Sequence, residues 1–492
     1  MFKLNTFISR IMSIEPIRRQ SIVSLIWQIA LTFIGFLSTI YFAHAVGASV
    51  LGGYFLFLAY LSIISLVTDG GFGGAAIKRI SEGEEQDGYF SAFVILRSVF
   101  VILVVIVLIA FRSYFVDLNE AGTFIWLILA LTVGILVGVV QSGINGCGKM
   151  GISATAGFIN SFSRIIVQVI AVFLGYGVAG LTGGFVVGLV VSSIVQLRFF
   201  DLHFVRFGWR HIKSLATFSV WVFLISSGAI VFSTADTVMI GYYLSNADVG
   251  VYRIILQFTL LASFTTVELG STLYPKISRW GKTDDAGLIE KSLSRAFTYS
   301  FVIAIPTLVG GFLLGDKLLY YFYGAEFGEG YLIMVVLLIV QIVNIFYYFF
   351  TIYLTALDHL KDLFKITVVA VVANIALNAS LIPLIGIVGA ALATLVTMGL
   401  NAILAMWVLS KILTIRVEFD SLLNILKASV MMGLFVGGYR LFVPLSNVWL
   451  TLVPVVLGIG VYGLLVLKFD RKIYEELKGI MIRMNVAWPE WL

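Results

Sequence analysis

Leu244-Ser-Asn-Ala-Asp-Val-Gly-Val-Tyr252 repeats the punctuation of Val46-Gly-Ala-Ser-Val-Leu-Gly-Gly-Tyr54, 198 residues earlier. Both stretches end in Gly-x-Tyr, and each follows an apolar run long enough to span a bilayer, which takes about 20 residues. At the same offset Ser38-Thr39 falls on Asp236-Thr237, and Lys78 falls on Lys276. Further along, Gly177-Val-Ala-Gly180 matches Gly386-Ile-Val-Gly389 at an offset of 209. The 11 extra residues fit a longer loop near the eighth and ninth runs. The chain therefore reads as two homologous halves with an even number of helices in each. Such repeats are parallel in topology and related by an axis along the membrane normal, which places a transported ligand between them near the midplane.

Composition makes these runs membrane helices. The 492 residues are 60% hydrophobic and 12% charged, with a mean hydropathy of +1.05. A soluble domain carries about 25% charged residues. We expect an all-α polytopic membrane protein with about 14 transmembrane helices. Residues 1–19 read as a basic amphipathic segment lying on the cytoplasmic surface, with Leu4, Phe7, Ile8, Ile11 and Met12 on one face. Residues 20–205 and 206–413 read as the two six-helix bundles, 414–467 as two extra helices, and 468–492 as a cytoplasmic tail.

Of the 32 basic residues, 26 fall in or beside one alternating set of loops and three, Arg112, Lys317 and Arg440, in the opposite set. That bias places both termini in the cytoplasm. It also explains the net charge of +6 without invoking nucleic acid. The single Cys147 excludes an intramolecular disulfide, and the four histidines have no metal-ligand spacing. There is no phosphate-binding glycine loop, no nucleophile elbow, no zinc-protease motif and no convincing carboxylate pair. No catalytic residue, metal or cofactor is expected.

The remaining three cations, Arg97, Arg164 and Arg253, lie within apolar runs. Polar residues accompany them at helical spacing. Asn145 follows Gln141 in the fourth run. Asn160, Arg164 and Gln168 are four apart in the fifth. Arg253 and Gln257 are four apart in the eighth, and Asn374 and Asn378 in the eleventh. Within one residue the last pair are repeat mates of Arg164 and Gln168. Such faces are costly against lipid and point inward. Asp236 in the seventh run and Arg253 in the eighth lie at similar depth. They either pair to tie two helices, or face a cavity where Asp236 binds a cation and Arg253 an anion. Asp69 and Glu268, also repeat mates, are inner-mouth carboxylates with a nearby cation or coupling groups.

Asp236-Thr-Val-Met-Ile-Gly241, Val249-Gly-Val-Tyr252, Tyr274-Pro-Lys-Ile-Ser278 and Gly386-Ile-Val-Gly-Ala-Ala391, in this order over nearly the whole chain, resemble a known family. It is that of the polysaccharide transporters, the O-antigen-type flippases of the multidrug/oligosaccharidyl-lipid/polysaccharide exporter superfamily. The resemblance implies a MATE-like fold, two six-helix bundles in a V plus two C-terminal helices. It also implies a lipid-linked oligosaccharide moved outward across the cytoplasmic membrane, and a cationic lumen that Arg164 and Arg253 would match. The carrier would be a polyprenyl phosphate or pyrophosphate. Partners would be membrane lipids and the glycan polymerase and ligase machinery. Coupling to H+ or Na+ would fall to Asp236, Glu268 or Asp69. The alternatives are a MATE-like multidrug/cation antiporter, a peptidoglycan-precursor flippase, or a membrane-embedded glycan-assembly enzyme. The first lacks the extra helices and suits a cationic cavity poorly. The second carries an Arg-Asp pair in its first helix, where this chain has Ser38-Thr39. The third needs a catalytic outer loop that is absent here.

Overall fold

A computed structural model describes residues 16–283 and 285–483; the surface segment expected at the N-terminus lies almost wholly outside them. The described residues are helices joined by short turns, with no strand among them. They fall into two compact units, Met1–Gly250 and Val251–Leu492. The first contains α1 (Pro16–Asp69), α2 (Phe72–Ser81), α3 (Gln86–Ala110), α4 (Val116–Glu120), α5 (Phe124–Gly146), α6 (Met150–Phe173), α7 (Gly177–Leu197) and α8 (Trp209–Tyr243). Helix α9 (Asn246–Thr259) crosses the division. The second unit continues with α10 (Phe264–Lys282), α11 (Ala286–Tyr323), α12 (Ala325–Gly328), α13 (Tyr331–Ala356), α14 (Leu360–Ile385), α15 (Ile387–Leu409), α16 (Phe419–Phe442), α17 (Val448–Phe469) and α18 (Arg471–Arg483).

Twelve described spans, α9 and α10 together counting as one (Asn246–Lys282), are long and apolar enough to cross a bilayer, and thirteen when the bent α8 counts as one. Helix α1 has 54 residues, about 80 Å at 1.5 Å per residue, against a hydrocarbon core of about 30 Å. It is two spans broken at Gly47, whose φ of 74° and ψ of 178° are not helical. Counting it twice gives the fourteen expected. The second span ends at Asp69. Gly70 and Gly71 turn the chain there with φ of 54° and 79°. A methyl on Gly71 would strike the Ser219 carbonyl of α8, so only glycine fits.

The repeat is visible in the backbone. The break at Gly47 has its mate in the break at Leu244–Ser245, 198 residues on. Gly177 and Gly386, 209 apart, both take left-handed φ, 51° and 63°. Three residues later Gly180 packs on Ala171 and Gly389 on the Leu381 carbonyl, closing the α6–α7 and α14–α15 pairs. The turns before those pairs also match. Gly148 (φ 74°) precedes the α6 cap Lys149, and Asp358 (φ 63°) precedes the α14 cap His359. Aspartate tolerates this conformation better than most residues. The second turn is therefore geometrically the same without being recognisable as a glycine.

Lipid-facing surface is plain on α3, where Val99, Ile102, Leu103, Ile106, Val107 and Ile109 are exposed. Aromatic packing dominates the second unit's core, in which Phe297 of α11 meets Phe349 and Phe350 of α13 edge-on.

Candidate functional site

In the first unit the polar stripe of α6 runs along the α7 contact. Gly180, Gly184 and Gly188 present a bare strip of α7, against which Gln168, Arg164 and Asn160 lie. A methyl on Gly188 would come within 2.9 Å of the Arg164 Cβ and 2.8 Å of the Asn160 carbonyl oxygen. The close approach sets the side chains. Asn160 Nδ2 donates to Ser192 Oγ at 3.3 Å. Gln168, 3% exposed, donates to the Tyr54 hydroxyl at 3.0 Å and the Leu181 carbonyl at 2.7 Å. These two residues, expected in a cavity wall, tie helices together. Gly180, Gly184, Gly188 and Ser192, a small residue at every fourth position of an apolar run, are the sequence signal for such packing.

Arg164 differs. It is half-buried in the middle of a 24-residue membrane helix. Among the described residues its guanidinium has no ion pair and no hydrogen bond. A charge at such depth costs about 2.5–3.5 kcal/mol on insertion scales. Among the described residues no ion pair or hydrogen bond offsets that cost.

Asn145, at the end of α5, keeps a buried Oδ1 with no partner among the described residues. In the second unit Asn374 and Asn378 are 1% and 0% exposed. Asn374 donates to Thr397 of α15 at 3.3 Å, and Asn378 donates to Asn374 at 3.0 Å. They are a helix tie, as Asn160 and Gln168 are in the other half. Arg253 and Glu268 are half-buried and Gln257 exposed. Asp236 is buried in α8, and both it and Arg253 have interaction partners. A 3-10 turn, Leu260–Ser263, interrupts the path from α9 to α10, leaving Gln257 and Glu268 on opposite sides of a discontinuous helix.

Asp69 ends α1 and ion-pairs with Arg97 of α3. Its second oxygen accepts from the Gly73 amide at 3.3 Å, capping α2. Arg97 passes over Gly138 and donates to the Gly134 carbonyl at 3.3 Å. The Asp69–Arg97 pair thus ties α1, α2, α3 and α5 together. Breaking a part-buried pair leaves the other charge stranded, so Asp69→Asn and Arg97→Gln should each cost about 1–3 kcal/mol. The double variant should cost less than the two singles together. A double-mutant cycle on thermal unfolding of the purified protein checks this; purely additive losses would deny the coupling.

Cys147 lies just past α5, and burial pushes its thiol pKa up, keeping it protonated and unreactive.

A family profile described as "Polysaccharide biosynthesis protein" matches residues 17–280, more than half of the chain. The chain belongs to the polysaccharide biosynthesis protein family. Two curated relatives of this family member come from Haloferax volcanii. A probable low-salt glycan biosynthesis flippase, Agl15, is 26% identical over 302 residues, 61% of this chain and 64% of its own length. A probable flippase, AglR, is 25% identical over 297 residues, 58% of this chain and 61% of its own. The match thus spans somewhat under two thirds of each relative. Among solved structures, the lipid II flippase MurJ in an inward closed conformation superposes with a TM-score of 0.76 at 18% identity, covering 92% of this chain and 100% of MurJ. An inward-facing multidrug resistance MATE family transporter of the MOP superfamily gives 0.61 at 15% identity, covering 78% and 94%. At these identities the likeness establishes the fold. This polysaccharide biosynthesis family member is a multi-pass membrane protein with a fold like that of these two transporters.

Proposed function

We propose that this protein is a flippase, not an enzyme, and that it carries a lipid-linked oligosaccharide from the inner to the outer leaflet of the cytoplasmic membrane by alternating access. The observation that carries this reading is Arg164, a guanidinium with no ion pair or hydrogen bond among the described residues, held half-buried on a membrane helix. A phosphate or pyrophosphate linking sugar to lipid is the ligand such a group accepts best, because its forked donors match phosphate oxygens. The family match and the name of the glycan biosynthesis flippase Agl15 support a glycan cargo, and the name of AglR supports flipping. The basic-loop bias supports cytoplasmic termini. Asp236 and Glu268 are the carboxylates we assign to H+ or Na+ coupling. Asp69 is the weaker of the three candidates, since its two oxygens already hold Arg97 and the α2 amide. Ion binding that favours one conformer would shift the population toward it.

The test is a host lacking its own oligosaccharide flippase. Expression of this protein should restore surface glycan and drain the lipid-linked intermediate from the inner leaflet. Failure with every lipid-linked glycan tried, together with extrusion of cationic dyes, would replace the reading with an antiporter.

A further inference from the structure

Lys291, Arg295 and Tyr299 stand four residues apart on one face of α11 and form a wall shared by two hollows of the second unit. The larger, about 690 Å³, is closed on its far side by Glu418 and Ser421 of α16 and its linker and by Lys472, Glu475 and Glu476 of α18. The smaller, about 300 Å³, is lined by Leu269, Leu273, Trp280, Leu288 and Ala296. One hollow is charged and the other apolar, and two cations lie at their boundary. We propose that the pair forms a docking site for a phosphate-headed lipid, with the phosphate on Lys291 and Arg295, the head in the larger hollow and hydrocarbon in the smaller. The site belongs to the second unit, whereas Arg164 belongs to the first, and it goes beyond the transport reading.

The charges support an anion. Each carboxylate in the larger hollow has its own cation: Glu418 pairs with Lys472 at 3.0 Å, Glu475 with Arg471 at 2.9 Å, and Glu476 with Arg295 at 3.4 Å. Lys291 has no ion pair among the described residues, so the boundary is left positive. The location fits as well. These residues belong to the basic-loop face, which the positive-inside bias assigns to the anionic leaflet. Both volumes are within or near the range of ligand sites, about 300–1,000 Å³. Glu476 competes with a phosphate for Arg295, and this gives the site a signature that a merely structural ion pair would lack.

The full-length protein is placed in phosphatidylcholine nanodiscs and titrated separately with dioleoylphosphatidylglycerol, a polyprenyl monophosphate and inorganic phosphate. Lipid retained after detergent washing is counted by native mass spectrometry. Contact in the apolar cleft is read as quenching of Trp280 by brominated chains, taken as the difference from Trp280→Phe. The Lys291→Gln/Arg295→Gln variant should bind about tenfold more weakly, the loss expected for charge-assisted contacts at a part-exposed site. Glu476→Gln should bind more tightly, and the exposed control Lys365→Gln should match the wild type. Preference for the polyprenyl phosphate assigns the site to the cargo lipid, and equal binding of both lipids assigns it to the bilayer; either supports the proposal. Equal retention by the double variant, no Trp280 quenching, or inorganic phosphate binding as well as the lipids would overturn it. Because the assay measures binding without transport, its failure is separate from failure of the flippase reading.

Discussion

Arg164→Gln should lower transport by about 10- to 100-fold while leaving the fold as stable as the wild type or slightly more so. The two halves of that result come from the same physics. Hydrogen bonds to a charged group are worth about 1.5–3 kcal/mol, and 1.4 kcal/mol is tenfold, so losing the guanidinium at the phosphate costs that range of rate. In the absence of cargo, however, Arg164 has no ion pair or hydrogen bond among the described residues and sits mid-helix at an insertion cost of about 2.5–3.5 kcal/mol. Replacing it with a neutral amide relieves that cost, a trade of stability for function seen at many binding sites. Arg164→Lys should be intermediate, since a point charge remains but the forked donor is lost. Surface glycan and inner-leaflet intermediate, measured at matched membrane levels alongside the melting temperature, decide the matter. A variant that transports normally would remove Arg164 from the site. A variant that loses transport only because it no longer folds would make the residue structural. Gln168→Leu should show that structural pattern, because it breaks the bonds to Tyr54 and Leu181 that hold α6 in place.

This contrast marks how far the sequence can be read. The membrane class, the helix count and the two-fold repeat follow from hydropathy, loop charge and glycine punctuation, all of which are local. The polar stripe on α6 is legible as inward-facing, but its three residues have separate fates. A period of four identifies a face without saying whether a groove or another helix lies opposite. Here the bare strip Gly180, Gly184 and Gly188 brings α7 so close that Asn160 and Gln168 are consumed as ties. The long Arg164 side chain can extend past the contact. The same reasoning separates Asp69 from a free carboxylate. Its partner Arg97 is 28 residues away, and the pairing depends on the Gly70–Gly71 turn, whose necessity shows only once α8 is seen against it. The Asp358 turn was hidden because aspartate stands where its repeat mate is glycine.

The repeat also fixes the second large prediction. A methyl on Gly52 would land on the Asn246 carbonyl oxygen, and a methyl on Gly250 on the Ala48 carbonyl oxygen. Ala48 and Asn246, like Gly52 and Gly250, are 198 residues apart. The start of the second span and the start of α9 therefore cross reciprocally, each glycine admitting the other segment's backbone. Because the obstructing atoms are main chain, a side chain cannot swing aside, and the segments must separate. Overpacking of this kind costs about 1–3 kcal/mol, and the backbone collision places Gly52→Ala and Gly250→Ala at or above the top of that range. Each should lower the melting temperature by several degrees. The double variant should lose little more than either single, since one separation makes room for both methyls. Gly157→Ala supplies the control: it lies within α6 with open space where its Cβ would be, and alanine there should stabilise by about 0.5–1 kcal/mol. Melting curves of the four purified variants distinguish the outcomes. Strictly additive losses in the double variant would mean the two glycines are independent positions, and singles that melt with the wild type would mean the segments do not cross this closely.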